Sequence, residues 1–161
     1  VCGNFEKLIN LQLKEKHPKS WMRAFFNMGL INYIEGSRRM LPCQAGEMNF
    51  FVEPYGDIYP CNGLEKKYWK KSMGNIRETP NFKEIWEGEQ AEQVRQMVRR
   101  CPKNCWMVGT ASPVMHKYIK YPLKWALKNK LRSLQGKTAC LDKCWYNVGQ
   151  DPSQGDLRDV F

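Results

Sequence analysis

Several features that mark common classes of protein are missing from this chain of 161 residues. No apolar run approaches the about 20 residues of a membrane-spanning helix, so we expect no transmembrane segment. The first residues do not show the charged and then apolar segments of a signal peptide, and we expect a cytoplasmic protein. The chain begins at Val1 without an initiator methionine, which indicates a piece of a longer protein.

Histidine is also scarce, since only His17 and His116 are present. His17 precedes a proline and His116 lies in a basic segment, so we expect both on the surface. Any metal site must then consist almost wholly of thiolates, which select zinc or iron-sulfur clusters. The number of cysteines, seven, is odd, and the chain lacks a secretory signal. Both facts argue against a disulfide framework.

Acidic residues are outnumbered, with 16 Asp and Glu against 26 Lys and Arg, for a formal charge of +10. The excess is +4 in residues 1–42, +1 in residues 43–105 and +5 in residues 106–161. A nucleic-acid-binding protein usually concentrates its basic charge around its reading element, whereas here the cysteine-rich middle is nearly neutral. We therefore expect no nucleic-acid partner and interpret most lysines as solvated helix faces.

The pattern of apolar residues predicts an α+β fold, with helices before and after a small β-hairpin. The predicted helices cover residues 4–17, 21–35, 89–100 and 114–134, with a shorter one from Asn81 to Gly88. Ser20 is the predicted cap of the second helix. In the helix over 89–100, the residues expected to face inward are Ala91, Val94, Met97 and Val98.

The predicted hairpin starts with a strand over residues 47–53, in which Met48, Phe50 and Val52 share one face. Pro54-Tyr55-Gly56 forms its turn, because proline presets one backbone torsion and glycine accepts a positive one. The return strand begins at Asp57, residues 62–72 form a loop, and residues 73–76 form a short extended piece.

The helix predicted over 114–134 is basic and amphipathic and is interrupted at Pro122. Its apolar positions form a stripe at four-residue spacing, which consists of Met115, Ile119, Leu123, Leu127 and Leu131. We expect this stripe to pack against the rest of the domain, and hence no membrane partner. The alternative left open is that the basic element over residues 113–134 lies on an acidic membrane surface or an acidic partner.

The cysteines leave two metal chemistries open. The chain has no Cys-x2-Cys knuckle of the kind that zinc ribbons use, but it has Cys101-x3-Cys105 and Cys140-x3-Cys144. A wider spacing suits a bulkier iron-sulfur cluster. The same spacing is also one helical turn, so either pair could simply share a helix face.

Cys43 and Cys61 flank the hairpin and carry the sharpest signal. A turn centred on Tyr55 places Cys61 opposite Asn49, and six extended residues then leave Cys43 about 20 Å away, at about 3.3 Å each. The chain must therefore bend back at Gln44-Ala45-Gly46 if the two thiolates are to meet. Glycine favours such a bend because it tolerates unusual torsions and close backbone approach.

These motifs resemble the SPASM/twitch domain, the C-terminal auxiliary-cluster domain of radical S-adenosylmethionine enzymes. The resemblance rests on the spacing Cys43-x12-Gly56-x4-Cys61, with Ala45-Gly46 after the first cysteine and Tyr59-Pro60 before the second. Met73-Gly74-Asn75-Ile76 and Phe82-x2-Ile85-Trp86 also fit the family's pattern. The match is strongest over residues 43–105.

The resemblance implies a small domain that holds one 4Fe-4S cluster through Cys43, Cys61, Cys101 and Cys105, with no catalytic residue of its own. Its implied role is electron transfer or substrate positioning in a larger oxidoreductase. The implied partners are the N-terminal radical S-adenosylmethionine barrel of the same chain, the substrate of the parent enzyme (a peptide or protein is one possibility) and an electron donor or acceptor.

The chain departs from the family in two respects. Only Cys101 and Cys105 stand where the two-cluster form has a dense run of cysteines, so the chain is similar to the single-cluster twitch form. The radical motif Cys-x3-Cys-x2-Cys is absent, so this chain should not bind S-adenosylmethionine or start the radical reaction by itself, and its status as an enzyme is left open. The alternative function is a zinc-stabilised, non-catalytic interaction module, and zinc could also replace the cluster in protein purified in air.

The resemblance and the helix pattern together predict a chain organised in four parts. Residues 1–42 are a helical segment, either the end of the preceding barrel or linker helices, and residues 43–112 form the cluster domain. Residues 113–146 are the basic helical extension, and residues 147–161 form a polar tail. Cys140 and Cys144 are interpreted as ordinary thiols, while a second metal site, or the replacement of one of the four ligands, stays open.

Overall fold

The structure, a computed structural model, describes residues 1–62, 71–101 and 103–141. Helices stand before and after a small antiparallel sheet, which confirms the predicted α+β class. The helices of these ranges are α1 (Cys2–Lys14), α2 (Pro18–Ile34), α3 (Phe82–Glu87), α4 (Glu89–Arg99), α5 (Val108–Lys117) and α6 (Lys120–Leu134), and the strands are β1 (Phe51–Val52), β2 (Asp57–Tyr59) and β3 (Gly74–Asn75). The predicted polar tail, and most of the predicted loop over 62–72, lie outside the described residues.

The chain divides into two compact units. Within the described ranges, unit 1 consists of residues 1–41 and 103–141, and unit 2 consists of residues 42–62 and 71–101. Unit 1 contains α1, α2, α5 and α6, while unit 2 contains the sheet, α3 and α4. No helix described here has the length and apolar character needed to cross a membrane.

In unit 1, the boundary between α1 and α2 differs from the prediction. The second helix begins at Pro18, not after a cap at Ser20, because a proline at the first helical position has a suitable fixed torsion and lacks only an N–H that would be unpaired there. Ser20 lies in the first turn instead, where its hydroxyl donates a hydrogen bond to the Glu15 carboxylate. The predicted core positions of α2 are confirmed, since Ala24, Phe25, Met28 and Ile31 are buried and Trp21 packs against them.

Aromatic residues form the centre of the unit 1 core. The ring of Phe25 meets those of Trp106 and Trp125 edge-on, with centroids 6.4 Å and 5.5 Å away. The Trp106 indole lies directly against the backbone of Gly29, where a Cβ atom would come within 2.1 Å of the indole nitrogen. The missing side chain at Gly29 therefore lets the indole lie against α2 and donate its N–H to the Phe26 carbonyl at 2.9 Å.

The basic helical region is two helices, and its break is not at Pro122. α5 contains Pro113 inside it, and the chain breaks at Tyr118 and Ile119 before α6 begins. Pro122 is the third residue of α6, within the first turn, where backbone N–H groups have no partner inside the helix. A proline is therefore tolerated there without breaking the helix.

The prediction that the apolar stripe packs against the domain is wrong for all but its first member. Met115 is buried, whereas the rest of the stripe, Ile119, Leu123, Leu127 and Leu131, is exposed. α6 instead buries the face that carries Trp125 and Ala126. The large Trp125 side chain fills the core next to Phe25, which turns the leucines toward solvent.

In unit 2, β2 pairs antiparallel with β1 on one side and with β3 on the other. The predicted turn is confirmed, with Gly56 at φ +94° and its N–H donating to the Glu53 carbonyl. The first strand is shorter than predicted, and Met48 and Phe50 are exposed. Residues 44–49 leave the strand because they form a separate bend, described below.

The two helices of unit 2 follow the predicted boundaries closely. The Asn81 side chain caps α3 by accepting a hydrogen bond from the Lys83 N–H at 3.2 Å, and Gly88 separates α3 from α4. Ala91, Val94 and Val98 of α4 are buried as predicted, but Met97 is exposed. The prediction for Met97 was wrong because the buried face is the narrower stripe through Ala91, Val94 and Val98, at three- and four-residue spacing.

Candidate metal centre

The hairpin register fixes the position of Cys61. Phe51 pairs with Tyr59 and Val52 with Ile58, so the hairpin is centred on Tyr55 as predicted. Continuing this register outward brings Asn49 opposite Cys61. The Asn49 amide donates to the Pro60 carbonyl at 3.3 Å, which holds the two chain segments together beyond the last strand pair.

The predicted bend between Cys43 and the hairpin is confirmed. The Gly46 N–H donates to the Asn49 carbonyl at 2.8 Å, and the Met48 N–H donates to the Gln44 carbonyl at 2.9 Å. Gly46 has φ +76°, and a Cβ atom there would lie 3.2 Å from Cβ of Pro60. Both the torsion and the space thus favour glycine at the point where the chain reverses.

The bend brings Cys43 and Cys61 to the same small apolar cluster. Both half-buried cysteines, together with Tyr59, pack against Ala45 and Val98, which are 2% and 4% exposed. Two thiols that are far apart in the sequence are therefore close neighbours of one pair of side chains. A shared inorganic centre would need its ligands to be neighbours in this way, and the ligand assignment itself stays a prediction.

The end of α4 places a third cysteine next to this cluster. The Cys101 N–H donates to the Val98 carbonyl at 3.0 Å, and Val98 is the residue against which Cys43 and Cys61 pack. Cys101 is half-buried. In unit 2, the backbone of Cys101 is thus hydrogen-bonded to the residue against which Cys43 and Cys61 pack.

Arg95 of α4 supports the bend, a role that the sequence pattern did not predict. Its guanidinium donates to the Gly46 carbonyl at 2.8 Å and to the Trp86 carbonyl at 2.5 Å, and it lies 4.8 Å above the Trp86 ring. Its charge is also 3.5 Å from the Glu92 carboxylate. No sequence signal distinguishes Arg95 from the other arginines of α4, because its role depends on the fold of the distant residues 44–49.

The fourth predicted ligand, Cys105, belongs to unit 1 and is half-buried. Its carbonyl accepts a 2.6 Å hydrogen bond from the buried Arg39. The same guanidinium donates to the carbonyls of Leu41 at 2.9 Å and Thr110 at 3.3 Å, and it lies over the Trp106 ring. Arg39 thus fixes the backbone at Cys105, a role that its place in the sequence Arg38-Arg39 does not reveal.

Aromatic residues could shield a bound cluster, and the candidates are Tyr59, Tyr68, Trp86 and Trp106. Tyr59 packs with Cys43 and Cys61, whereas Trp86 stacks on Phe82 in another part of unit 2. Trp106 is part of the unit 1 core. Tyr68 lies outside the described residues.

The remaining cysteines, Cys2, Cys140 and Cys144, lie outside the segment that contains the four predicted ligands. Cys2 packs against the unit 1 core, and the Cys140 N–H donates to the Asn129 side chain at 2.7 Å. Cys144 is outside the described residues. Within residues 1–62, 71–101 and 103–141, no group of three or more His, Cys, Asp or Glu side chains is arranged to hold a metal ion.

Comparison with known proteins agrees with the cysteine arrangement. Residues 43–107 match the family model of SPASM, which is described as an iron-sulfur cluster-binding domain. The matched residues include Cys43, Cys61, Cys101 and Cys105. Searches of the curated proteins and of the solved structures gave no significant match. Residues 43–107 are therefore similar to the SPASM iron-sulfur cluster-binding domain, and the chain extends on both sides of the matched segment.

Proposed function

We propose that residues 43–107 bind a single 4Fe-4S cluster through the thiolates of Cys43, Cys61, Cys101 and Cys105. The observation that carries this proposal is the packing of Cys43 and Cys61 against Val98, whose carbonyl also holds the Cys101 N–H. The donor set fits the group, because sulfur ligands are those that iron-sulfur clusters use. The same residues lie in the segment that matches the family model.

Side chains around the cysteines hold the backbone of the proposed site in place. Arg95 holds the Gly46 carbonyl and so keeps the bend that directs Cys43 toward Cys61. Tyr59 and the apolar side chains of Ala45 and Val98 cover the thiols on one side, which lowers the local polarity. Each thiol must lose its proton when it becomes a ligand, so loading depends on pH.

A 4Fe-4S cluster supplies one-electron transfer when it is bound. Four thiolate ligands would leave no iron free for substrate, which favours electron transfer over direct substrate binding. We propose that the domain performs this role as the auxiliary part of a radical S-adenosylmethionine enzyme, an oxidoreductase. The chain described here has no Cys-x3-Cys-x2-Cys motif, so S-adenosylmethionine binding is assigned to a barrel elsewhere in the parent protein.

The proposed partners follow from this assignment. They are the radical S-adenosylmethionine barrel of the same polypeptide, a substrate such as a peptide or protein, and an electron donor or acceptor. We propose a cytoplasmic location, since thiols stay reduced there and remain available as ligands.

Anaerobic reconstitution with iron and sulfide tests the proposal. The full chain should take up about four iron and about four acid-labile sulfide, and Cys43→Ala combined with Cys61→Ala should abolish the uptake. The matched control is Cys2→Ala combined with Cys140→Ala, which removes two half-buried thiols outside the proposed ligand set and should leave the uptake unchanged.

The same experiment separates the cluster from the zinc-module alternative. Equimolar zinc without sulfide in protein purified without oxygen would identify a zinc site instead. Iron uptake that persists in the Cys43 and Cys61 double variant would contradict the ligand assignment.

A further inference from the structure

Helix α6 carries two apolar faces, of which only one is buried. Trp125 is buried and Leu127 is exposed, and two residues correspond to about 200° around the helix, so these side chains point in opposite directions. The exposed stripe consists of Ile119, Leu123, Leu127, Leu131 and Leu134, whose exposed fractions range from 44% to 72%. It extends along the whole helix, for about 22 Å at about 1.5 Å per residue.

Contacts within unit 1 fix the rotation of α6, so the stripe cannot turn inward. The Trp125 ring packs edge-on against Phe25 in the core. On the next turn, the Lys130 ammonium donates to the carbonyls of Leu13 and Glu15, both at 2.8 Å, at the end of α1. Rotation that buried the leucines would remove these contacts and expose Trp125.

The charged residues of the sequence segment that contains the exposed stripe have one sign. From residue 103 to residue 141 the sequence contains eight Lys and Arg and no Asp or Glu. Lys120, Lys124 and Lys128 are exposed and lie on the same side of α6 as the leucines or beside them. A partner for this face must therefore accept both apolar insertion and a row of positive charges.

We propose that α6 docks unit 1 on an anionic lipid surface, with the helix parallel to the membrane. The leucines would enter the boundary between headgroups and acyl chains while the lysines contact the acidic headgroups. Protein interfaces are depleted in lysine, and their energetically dominant residues are enriched in Trp, Tyr and Arg and poor in Leu, so the stripe is less suited to a protein partner. Nucleic acid would use the lysines but not the leucines.

The residues of α6 and the contacts named above include none of the proposed ligands, so the docking can be tested apart from the cluster. It does not require α6 to cross the bilayer, and the helix lacks the character to do so. Each lysine near an anionic surface contributes about fivefold in the partition coefficient, and each fully inserted leucine about tenfold or more.

Vesicle flotation with the full chain tests the proposal, using phosphatidylcholine vesicles with and without phosphatidylglycerol. We expect the chain to float only with the phosphatidylglycerol vesicles at about 0.01 M salt and to be released at about 1 M salt. Leu123→Ser combined with Leu127→Ser should lower the partition coefficient at least about tenfold. Lys124→Glu combined with Lys128→Glu should lower it at least about 25-fold.

The matched control is Leu8→Ser combined with Leu11→Ser, which removes two exposed leucines of α1 and should change partitioning less than about twofold. The far-ultraviolet circular dichroism spectrum of each variant shows whether it folds, and the charge-reversed variant tests the proposal even if the serine variant unfolds. The proposal is overturned if the wild-type chain does not bind the vesicles, or if it binds duplex DNA or polyglutamate instead. So does flotation that depends on the lysines but not on the leucines.

Discussion

At the scale of single residues, Arg95 has the most sharply defined role in the candidate site. It connects α4 with the bend through the Gly46 carbonyl and also satisfies the Trp86 carbonyl. Arg95→Leu should lower the free energy of unfolding by about 2–3 kcal/mol, since two hydrogen bonds to a charged donor disappear. Urea denaturation monitored by circular dichroism measures the loss.

Arg99 of the same helix provides the control for Arg95. Its side chain is about half exposed and makes ion pairs with Glu47 and Glu92 at the surface. Exposed ion pairs stabilise proteins by at most about 1 kcal/mol, so Arg99→Leu should have a small effect. Equal destabilisation by the two substitutions would mean that Arg95 has no special function at the bend.

Substitutions at Gly46 can separate the energetic cost of a positive φ from an effect on the proposed cluster site. Gly46→Ala and Gly136→Ala should each lower stability by about 1–2 kcal/mol, because both glycines have a positive φ. Of the two positions, only 46 has neighbours within van der Waals range, which are the side chains of Pro60, Arg95 and Met73, whereas nothing lies within 4 Å of a Cβ at position 136. Iron uptake should therefore fall for Gly46→Ala and remain normal for Gly136→Ala, as measured after anaerobic reconstitution.

At the scale of elements, the packing of α2 against Trp106 depends on Gly29. A Cβ atom at this position would overlap the indole, so Gly29→Ala should displace Trp106 and lower the free energy of unfolding by about 1–3 kcal/mol. Gly109→Ala in α5 is the matched change, since a Cβ there meets nothing within 4 Å, and it should raise stability by up to about 1 kcal/mol. Thermal unfolding that moves in the same direction for both variants would contradict this packing argument.

The sequence predicted elements well where the deciding contacts are local. Asn81 and Gly88 were identified because a helix cap and a helix break depend on neighbouring residues. The bend before the hairpin was also predicted, because the register of a hairpin follows from the centre of its turn. The bend was predicted on the condition that the thiols of Cys43 and Cys61 meet, and the observed bend satisfies that condition.

The sequence failed where distant packing decides between two plausible answers. α6 has leucines at four-residue spacing on one face and Trp125 on the other, and periodicity alone does not say which face is buried. In the structure, Trp125 packs against Phe25 in the core, and the leucines are therefore exposed. The roles of Arg39 and Arg95 were missed for the same reason, since both arginines bind carbonyls from remote parts of the chain.

At the scale of the whole molecule, loading of the site should change the two units differently. Ligation links Cys43, Cys61 and Cys101, which lie on separate segments of unit 2, and any group that binds only the folded state stabilises it. Amide hydrogen exchange in residues 44–61 should therefore slow after anaerobic reconstitution, measured by mass spectrometry. Residues 4–13 of α1 serve as the reference, and slowing confined to them would contradict the proposed site.

The anchoring of Cys105 has an electrostatic consequence. A guanidinium presents its N–H donors in a rigid planar fork, so Arg39 binds several carbonyls at once, as a lysine ammonium in its place would not. In the part of the chain that the structure describes, the hydrogen-bond partners of Arg39 are carbonyl oxygens, so its charge has no neutralising carboxylate among them. The backbone at Cys105 is thus held by a buried cation, and the positive field of that cation favours negative charge near Cys105.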